Sequence, residues 1–587
     1  MCGIAGAVGE QVEVAVRRMV RAIAHRGPDG EGLHCGSGLA IGMRRLSIID
    51  LERGDQPIYN EAGDKCVVFN GEIYNYRELR AELQSRGHAF TTRSDTEVII
   101  HLYEEMGERC VERLRGMFAF AIADGHRLLL ARDRLGIKPL YYSLAADGRR
   151  LLFASEIKAL LASGELSAAV NEEAVADRLV LGYVAGARTY LRQVESLRPG
   201  HTLMVEAGEA GGRLDLSPRR YYALRVEPEE DITLEEAIGG VERALADSVR
   251  SHLVADVEVG LTLSGGLDSS LLGVLMKEAV GGRPFPTFTI ACNNDYPDLL
   301  QSSKLAAQLG TRHKEVVMSY EEYLDEVVRC AWAEEQPPSL YGLPLARLCQ
   351  VMSGHLKVCL NGEGADILFG GNSEYFSRGG TIESVHQGLA RAREAGLRPS
   401  YEAEAIAEKL DATRSFDEYL CTFFDLQLGD QLANYGFPLL DKLSMASGVE
   451  VRVPFVDDRL VEFANRLPIA FKVLKKENIG KYVLRRVALR RGEEVLVNAV
   501  LRHKLDFPSA GFYHLTRFDQ MVEAALPEDY LRRHPLGRCF ASKRELLMYE
   551  LFEEVMVRGG GAPPDGLRIE DFIRQRAGRA SLSFASS

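Results

Sequence analysis

The chain has 587 residues, enough for two to four domains. With 46% hydrophobic and 26% charged residues it has the make-up of a folded globular protein. A net charge of −13 argues against a general nucleic-acid binder, while leaving room for a local site for a small anion. Its ten cysteines form no C-x-x-C pair, so neither cysteine-based zinc spacing nor a disulfide framework is expected. No basic leader followed by an apolar run is visible, and no apolar stretch approaches the ~18 residues of a membrane helix. A cytoplasmic protein with no membrane partner is expected.

The chain opens Met1-Cys2-Gly3-Ile4-Ala5-Gly6. Trimming of the initiator methionine would put a thiol and an α-amine on one residue. An amine with a pKa of about 7.7–8.0 is partly neutral near pH 7 and can act as base for its own thiol. Short apolar runs bounded by Gly, Asp or Asn predict buried strands at 66–69, 117–122, 127–131 and 151–154. Helical spacing predicts helices at 76–87 and 96–106, the second with Thr96 after Asp95 at its N-cap. The stretch 206–232 is rich in Gly, Arg, Asp, Glu and Pro and predicts a linker.

From 233 the pattern alternates: helix 233–253, strand 257–263, helix 269–280, strand 285–291, helix 299–309, and strands 315–318 and 355–360. That alternation predicts a parallel sheet with flanking helices. After about residue 400 the chain reads as mostly helical, and 559–587, with Gly-Gly-Gly, Pro-Pro and a Ser/Ala-rich end, reads as a loosely held tail.

Leu263-Ser264-Gly265-Gly266-Leu267-Asp268-Ser269-Ser270 joins a predicted strand to a predicted helix. Glycines let the backbone approach a phosphate, and the helix start offers N–H groups and positive potential. Asp268 does not suit a bare phosphate, so a bridging Mg²⁺ is implied. The G-K-[ST] ending of a Walker loop is missing, which favours grip on pyrophosphate and cleavage of ATP between its α and β phosphates. A second loop, Asn361-Gly362-Glu363-Gly364-Ala365-Asp366, follows another predicted strand. Both would face the crevice at the carboxyl ends of the strands. Glu363 can accept a proton and Asp366 can be a second metal ligand. The charged residues in Val449-Glu450-Val451-Arg452-Val453 are costly to bury singly, so a buried Glu450–Arg452 network is expected. Lys504, in Arg502-His503-Lys504, is a candidate partner for departing pyrophosphate, and a solvated surface lysine fits its spacing equally well.

Several further segments recur together: His25-Arg26-Gly27-Pro28-Asp29-Gly30, Arg45-Leu46-Ser47-Ile48-Ile49-Asp50, Phe69-Asn70-Gly71-Glu72-Ile73-Tyr74-Asn75, Ser94-Asp95-Thr96-Glu97 and Ala131-Arg132-Asp133-Arg134-Leu135-Gly136-Ile137-Lys138-Pro139. With the Cys2 opening they make the chain resemble the glutamine-dependent asparagine synthetases, from its start to about Phe512. The resemblance implies a class II glutamine amidotransferase domain over 1–205, an αββα sandwich of the N-terminal-nucleophile hydrolase type. It implies an ATP-pyrophosphatase synthetase domain over 233–515 with the adenine-nucleotide α-hydrolase fold. The remainder, 516–587, would be a C-terminal helical extension.

By the same resemblance Cys2 is the nucleophile toward glutamine, and Asn70 with the Gly71 backbone forms the oxyanion hole. Arg45, within the segment Arg45 to Ile49 (Leu46, Ser47, Ile48), holds the glutamine carboxylate, and Glu72 and Asp95 bind its ammonium. Leu263, Ser264 to Gly266, Asp268 to Ser270, Ile290, Asn361 and Gly362 fall where ATP is bound. Asp268 and Asp366 match the magnesium ligands, Glu363 a residue tied to the acyl-adenylate, and Lys504 the pyrophosphate lysine. The implied reaction makes an amide from a carboxylate activated as its AMP ester, using ammonia carried along a shielded path. A homodimer is implied because dimers are usual among such proteins.

Three departures bear on the acceptor. Ile367 stands where an acidic residue is usual, Asn361 where serine is common, and 334–342 does not match the usual aspartate-enzyme wording. Aspartate is the leading acceptor, and another carboxylate of secondary metabolism is the alternative. A non-catalytic glutamine or nucleotide sensor is the reading of another class.

Overall fold

The computed structural model describes residues 2–36, 38–206, 212–501 and 512–578. Residues 2–206 supply eleven strands: β1 (Cys2–Val8), β2 (Gly30–Gly36), β3 (Leu39–Arg45), β4 (Ile58–Tyr59), β5 (Lys65–Ile73), β6 (Gly116–Asp124), β7 (Arg127–Arg132), β8 (Tyr141–Leu144), β9 (Leu151–Ala154), β10 (Glu195–Ser196) and β11 (His201–Glu206). A twelfth, β12 (Arg219–Arg220), falls inside the expected linker and pairs with β11. They form two antiparallel sheets, ordered β10-β8-β9-β1-β3-β2 and β12-β11-β7-β6-β5-β4.

Successive strand residues point to opposite faces, and this divides the core. On β1, Cys2, Ile4 and Val8 join Val68 of β5 and the small residues Ala119 and Ala121 of β6 in one cluster between the sheets. Ala5 and Ala7, on the other face, pack with Val16, Met19 and Val20 of the helix Glu13–Ala22. The outcome is the expected αββα sandwich. The strand over 2–8 was not legible because its Gly/Ala composition carries no strand propensity.

Five parallel strands follow: β13 (Val259–Thr262), β14 (Pro286–Ala291), β15 (Arg312–Val317), β16 (Val358–Leu360) and β17 (Glu450–Arg452). Their order is β15-β14-β13-β16-β17. The chain therefore builds outward from β13 to one side, then returns to add β16 and β17 on the other. The point of reversal lies between β13 and β16, where open α/β sheets form a ligand crevice at the strands' carboxyl ends.

Two expectations need correcting. The segment 559–578 is not loose: Trp332 donates its indole N–H to Gly561 O at 3.1 Å, and Ile569, Phe572 and Ile573 of the helix Ile569–Ala577 are buried. The aromatic and branched residues of that helix outweigh the Gly/Pro composition before it; residues 579–587 lie outside the described residues. The helix Glu97–Met106 begins without a side-chain cap from Thr96. Asp95 instead turns back to accept the Ile73 N–H at 2.8 Å.

Candidate active sites

Cys2 and Asn70 meet at one end of the gap between the antiparallel sheets. The Cys2 backbone N–H donates to Asn70 Oδ1 at 3.1 Å. That bond fixes the amide's orientation and leaves Asn70 Nδ2 buried with no acceptor among the described residues. An unsatisfied buried donor is costly, about 1–3 kcal/mol, and is kept where it has work to do. Gly71 follows with φ +150°, and a Cβ there would lie 2.0 Å from Met117 O, so only glycine admits β6 this close. Burial pushes the Cys2 thiol's pKa up, against cations such as Arg45 that lower it.

The strand register sets Arg45 directly opposite Cys2. Its guanidinium donates to Asp55 Oδ1 at 2.7 Å and to Asp50 O at 2.6 Å, so it holds the 49–55 loop in place. Asp55 is largely exposed, which makes its carboxylate a replaceable partner. Glu72 and Asp95 are buried. Desolvation raises Asp95 to about 6, and Glu72 is raised for the same reason, with Glu450 and Asp95 adding to the rise while Arg452 opposes it. These carboxylates sit where a further positive charge would be favoured.

Arg452, at the end of β17 in the parallel sheet, reaches this site. It contacts Glu72 Oε1 at 2.9 Å, Glu450 Oε1 at 2.5 Å, and the carbonyls of His252 and Val254 at 2.7 Å each. The expected Glu450–Arg452 network is therefore present and extends to Glu72, a link the sequence did not announce. A second buried network joins the two halves. Arg26 donates to Cys2 O at 3.2 Å and pairs with Glu156 at 2.7 Å and Asp441 at 2.8 Å. Lys158 bridges Glu156 at 2.6 Å and Glu335 at 2.9 Å, and Lys442 meets Glu335 at 2.7 Å.

In the parallel sheet the two predicted loops lie side by side. Gly265 takes φ +70°, and Ser264 and Ser269 tie the turn together, their hydroxyls 3.1 Å apart. The helix Leu267–Ala279 then starts on Gly266, which brings no side-chain cap of its own. A Cβ on Gly362 would come 3.3 Å from the Asp268 Cβ, which shows how closely the loops approach. Asn361 braces them: its Nδ2 donates to Thr262 Oγ1 at 2.9 Å, and its Oδ1 accepts the Glu363 N–H at 2.8 Å. Burial raises the Glu363 pKa, and the charge of Asp366 raises it further. Leu263 and Ile290 are buried beside this crevice, at the ends of neighbouring strands. Ile367 is buried too, in the short helix Ala365–Phe369, where an acidic side chain would need its own partner.

A lysine that the sequence did not single out joins the two loops. Lys481 Nζ lies 2.5 Å from Asp268 Oδ2 and 2.8 Å from Asp366 Oδ1. It occupies the left-handed region at φ +55°, an uncommon conformation for a side-chain-bearing residue and typical of functional positions. A Cβ on Gly480 would sit 2.1 Å from Gly370 O, so glycine before the lysine lets this turn press against the second loop. Lys504 lies outside the described residues. The sequence signal for Lys481 was the Gly480-Lys481 pair just before a helix, too weak to single out without the fold.

The molecule thus joins a thiol-bearing antiparallel sandwich to a nucleotide-type parallel sheet. A family model described as a glutamine amidotransferase domain matches residues 1–222, and one described as asparagine synthase matches 240–562. "Asparagine synthetase [glutamine-hydrolyzing] 1" of Bacillus subtilis (strain 168) is 31% identical over 86% of this chain and 87% of its own length. A "Putative asparagine synthetase [glutamine-hydrolyzing]" of Mycobacterium tuberculosis (strain ATCC 25618 / H37Rv) is 32% identical over 89% of this chain and 88% of its own. A solved glutamine phosphoribosylpyrophosphate amidotransferase from B. subtilis, in complex with ADP and GMP, covers 50% of this chain and 67% of its own at 19% identity, with a TM-score of 0.29.

The chain belongs to the glutamine-hydrolysing asparagine synthetase family. It is a carbon–nitrogen ligase that makes an amide at the expense of ATP, with glutamine as nitrogen donor.

Proposed function

We propose that this enzyme converts aspartate to asparagine, with Cys2 and the Asp268–Asp366 crevice as its two reaction centres. In the first, the Cys2 thiolate attacks the side-chain amide of glutamine. Negative charge develops on the amide oxygen, where Asn70 Nδ2 and the Gly71 N–H would receive it. Arg45 would exchange Asp55 for the substrate carboxylate, against the wall formed by Leu46 to Ile49. The raised pKa values of Glu72 and Asp95 fit a site that the substrate's ammonium completes. Loss of ammonia leaves a thioester, which water cleaves to glutamate.

In the second centre, the aspartate β-carboxylate attacks the α-phosphate of ATP, forming β-aspartyl-AMP and releasing pyrophosphate. Ser264 to Ser270 would grip the phosphates, and Leu263, Ile290, Asn361 and Gly362 would line the nucleotide. Asp268 and Asp366 suit Mg²⁺, since both carboxylates already converge on one cationic group. When bound, Mg²⁺ would neutralise phosphate charge. Lys481 would accompany the departing pyrophosphate; Lys504, the lysine the resemblance points to, lies outside the described residues. Ammonia then attacks the acyl carbon, AMP leaves, and Glu363, with its raised proton affinity, accepts the proton given up by nitrogen.

The observation that carries this reading is the convergence of Asp268, Asp366 and Lys481 at the sheet's switch point. Ten free cysteines accord with a reducing, cytoplasmic setting. The test is a screen of carboxylic acids for ATP–pyrophosphate exchange. Aspartate is expected to support exchange; exchange with a different acid alone would move the enzyme to another acceptor, and none with any acid would favour a sensor.

A further inference from the structure

Four side chains of the amidotransferase half converge away from both reaction centres: Glu61, His88, His101 and Glu104, whose facing atoms all lie within 4.8 Å of one another. They come from three segments. Glu61 follows β4, His88 follows the helix Tyr76–Ser85, and His101 and Glu104 are three residues apart on the helix Glu97–Met106, hence on one face.

The spacing is that of a coordination shell. His88 Nδ1 is 3.1 Å from Glu61 Oε1 and 3.8 Å from Glu104 Oε2. His101 Nδ1 is 3.4 Å from Glu61 Oε2 and 3.2 Å from Glu104 Oε2. A tetrahedral ion with bonds of about 2.0–2.1 Å to nitrogen and oxygen needs donor-to-donor edges of about 3.3–3.4 Å. The four imidazole-to-carboxylate distances bracket that value, Glu61 facing His88 through Oε1 and His101 through Oε2.

One imidazole also carries a hydrogen-bonded carboxylate behind it: His88 Nε2 is 3.3 Å from Glu105 Oε1. His101, only 1% exposed, has its Nε2 3.8 Å from Glu97 Oε1, without a hydrogen-bond partner among the described residues. Outer carboxylates of this kind fix the tautomer of a metal-bound histidine and raise its basicity. The carboxylates are themselves held. Asn60 Nδ2 donates to Glu104 Oε1 at 2.7 Å, turning its other oxygen to the imidazoles, and the Ala89 N–H donates to Glu61 Oε1 at 2.9 Å.

We propose that Glu61, His88, His101 and Glu104 form a structural site for a divalent metal of the zinc class. Two imidazoles with two carboxylates suit Zn²⁺, whereas Mg²⁺ and Ca²⁺ favour all-oxygen shells. The ion would clamp three segments of the amidotransferase half, among them the helix Glu97–Met106 that follows Asp95 in the chain. Protonated histidines in an ion-pair cluster are the competing account.

The full-length protein, stripped of metal and dialysed, is titrated with Co²⁺ and then Zn²⁺. One equivalent of Co²⁺ is expected to give the visible d–d absorption of a tetrahedral ion, without the thiolate-to-cobalt band that Cys2 or the exposed Cys35 would add, and Zn²⁺ should bleach it. The Glu61→Gln/His88→Asn double variant is expected to lose that equivalent. Should it fail to fold, Glu105→Gln, at an exposed outer position, is expected to weaken Zn²⁺ binding by about 10- to 100-fold. No stoichiometric ion in the wild type, equal loading in the double variant, unchanged affinity in Glu105→Gln, or a thiolate band would each overturn the site in favour of ion pairs or adventitious binding.

Discussion

Replacing Arg452 by methionine tests whether the parallel sheet helps to build the glutamine site. Arg452 is fully buried and presents one guanidinium nitrogen to Glu72 at 2.9 Å. The contact is an ion pair without hydrogen-bond geometry, and residues in one salt-bridge network couple by about 0.5–3 kcal/mol. At 1.4 kcal/mol per tenfold, losing that one contact lowers kcat/KM for glutamine by about 2- to 150-fold. The cause is a shift in Glu72: without Arg452, burial and the charges of Glu450 and Asp95 drive its carboxyl further toward the protonated form. The assay is glutaminase kcat/KM beside ammonia-driven pyrophosphate release in the same preparation. Glutamine use is expected to fall and ammonia-driven synthesis to change far less. Adding Glu72→Gln removes the stranded carboxylate, so the double variant should be less impaired than the sum of the two, by about 0.5–3 kcal/mol. Unchanged glutamine kinetics, additive effects, or equal losses in both activities would refute the idea that Arg452 acts through Glu72.

Cys2→Ala is expected to abolish glutamine use and spare synthesis from added ammonia, read as amide formed with each nitrogen source; loss of both would contradict two separate centres. Lys481→Met should cut ATP–pyrophosphate exchange by about 10²–10³, the scale for removing one positioned stabilising group, with glutaminase activity retained; unimpaired exchange would remove Lys481 from the reaction. The Asp95 carboxyl, raised by desolvation to about 6, must be ionised to hold an ammonium group. Glutaminase kcat/KM should therefore fall as pH drops through about 6, and Asp95→Asn should be impaired already at pH 7 with that limb flattened; an unaltered limb in the variant would assign the ionisation elsewhere.

What the sequence made legible was chemistry carried by local order. The Cys2 opening, the Ser264–Ser270 turn and the Asn361–Asp366 loop each combine a residue type and a backbone demand within a few positions, and the latter two lie at the strand ends their context indicated. What it hid was chemistry assembled by distance. Lys481 meets Asp268 across 213 positions, and nothing in the spacing between Leu474 and Tyr482 marks it. Lys504, which the resemblance singled out, lies outside the described residues. β1 was hidden for another reason: its small residues are chosen for close packing between a sheet and a helix, a tertiary demand that overrides strand propensity. The packed helix Ile569–Ala577 shows the reverse error, in which turn-forming neighbours masked a short apolar face.

The contacts between the halves bear on how ammonia would pass between the two proposed centres. A buried ion pair adds little to stability over an apolar pair of the same size, but breaking one leaves a stranded charge at a cost of about 3–5 kcal/mol. An interface built from Arg26, Glu156, Lys158, Glu335, Asp441 and Lys442 therefore penalises sliding or rotation far more steeply than an apolar one, where neighbouring registers differ little. Glu335 adds direction, accepting the N–H groups of Ile157 and Lys158 at 2.9 and 2.6 Å from the opposite half. Because Arg26 also holds the Cys2 carbonyl, any rotation of the halves would disturb the proposed nucleophile itself. Alignment of the two centres and integrity of the first are thus one structural condition. That is what a labile nitrogen donor requires, since ammonia released while the halves were out of register would be lost to water.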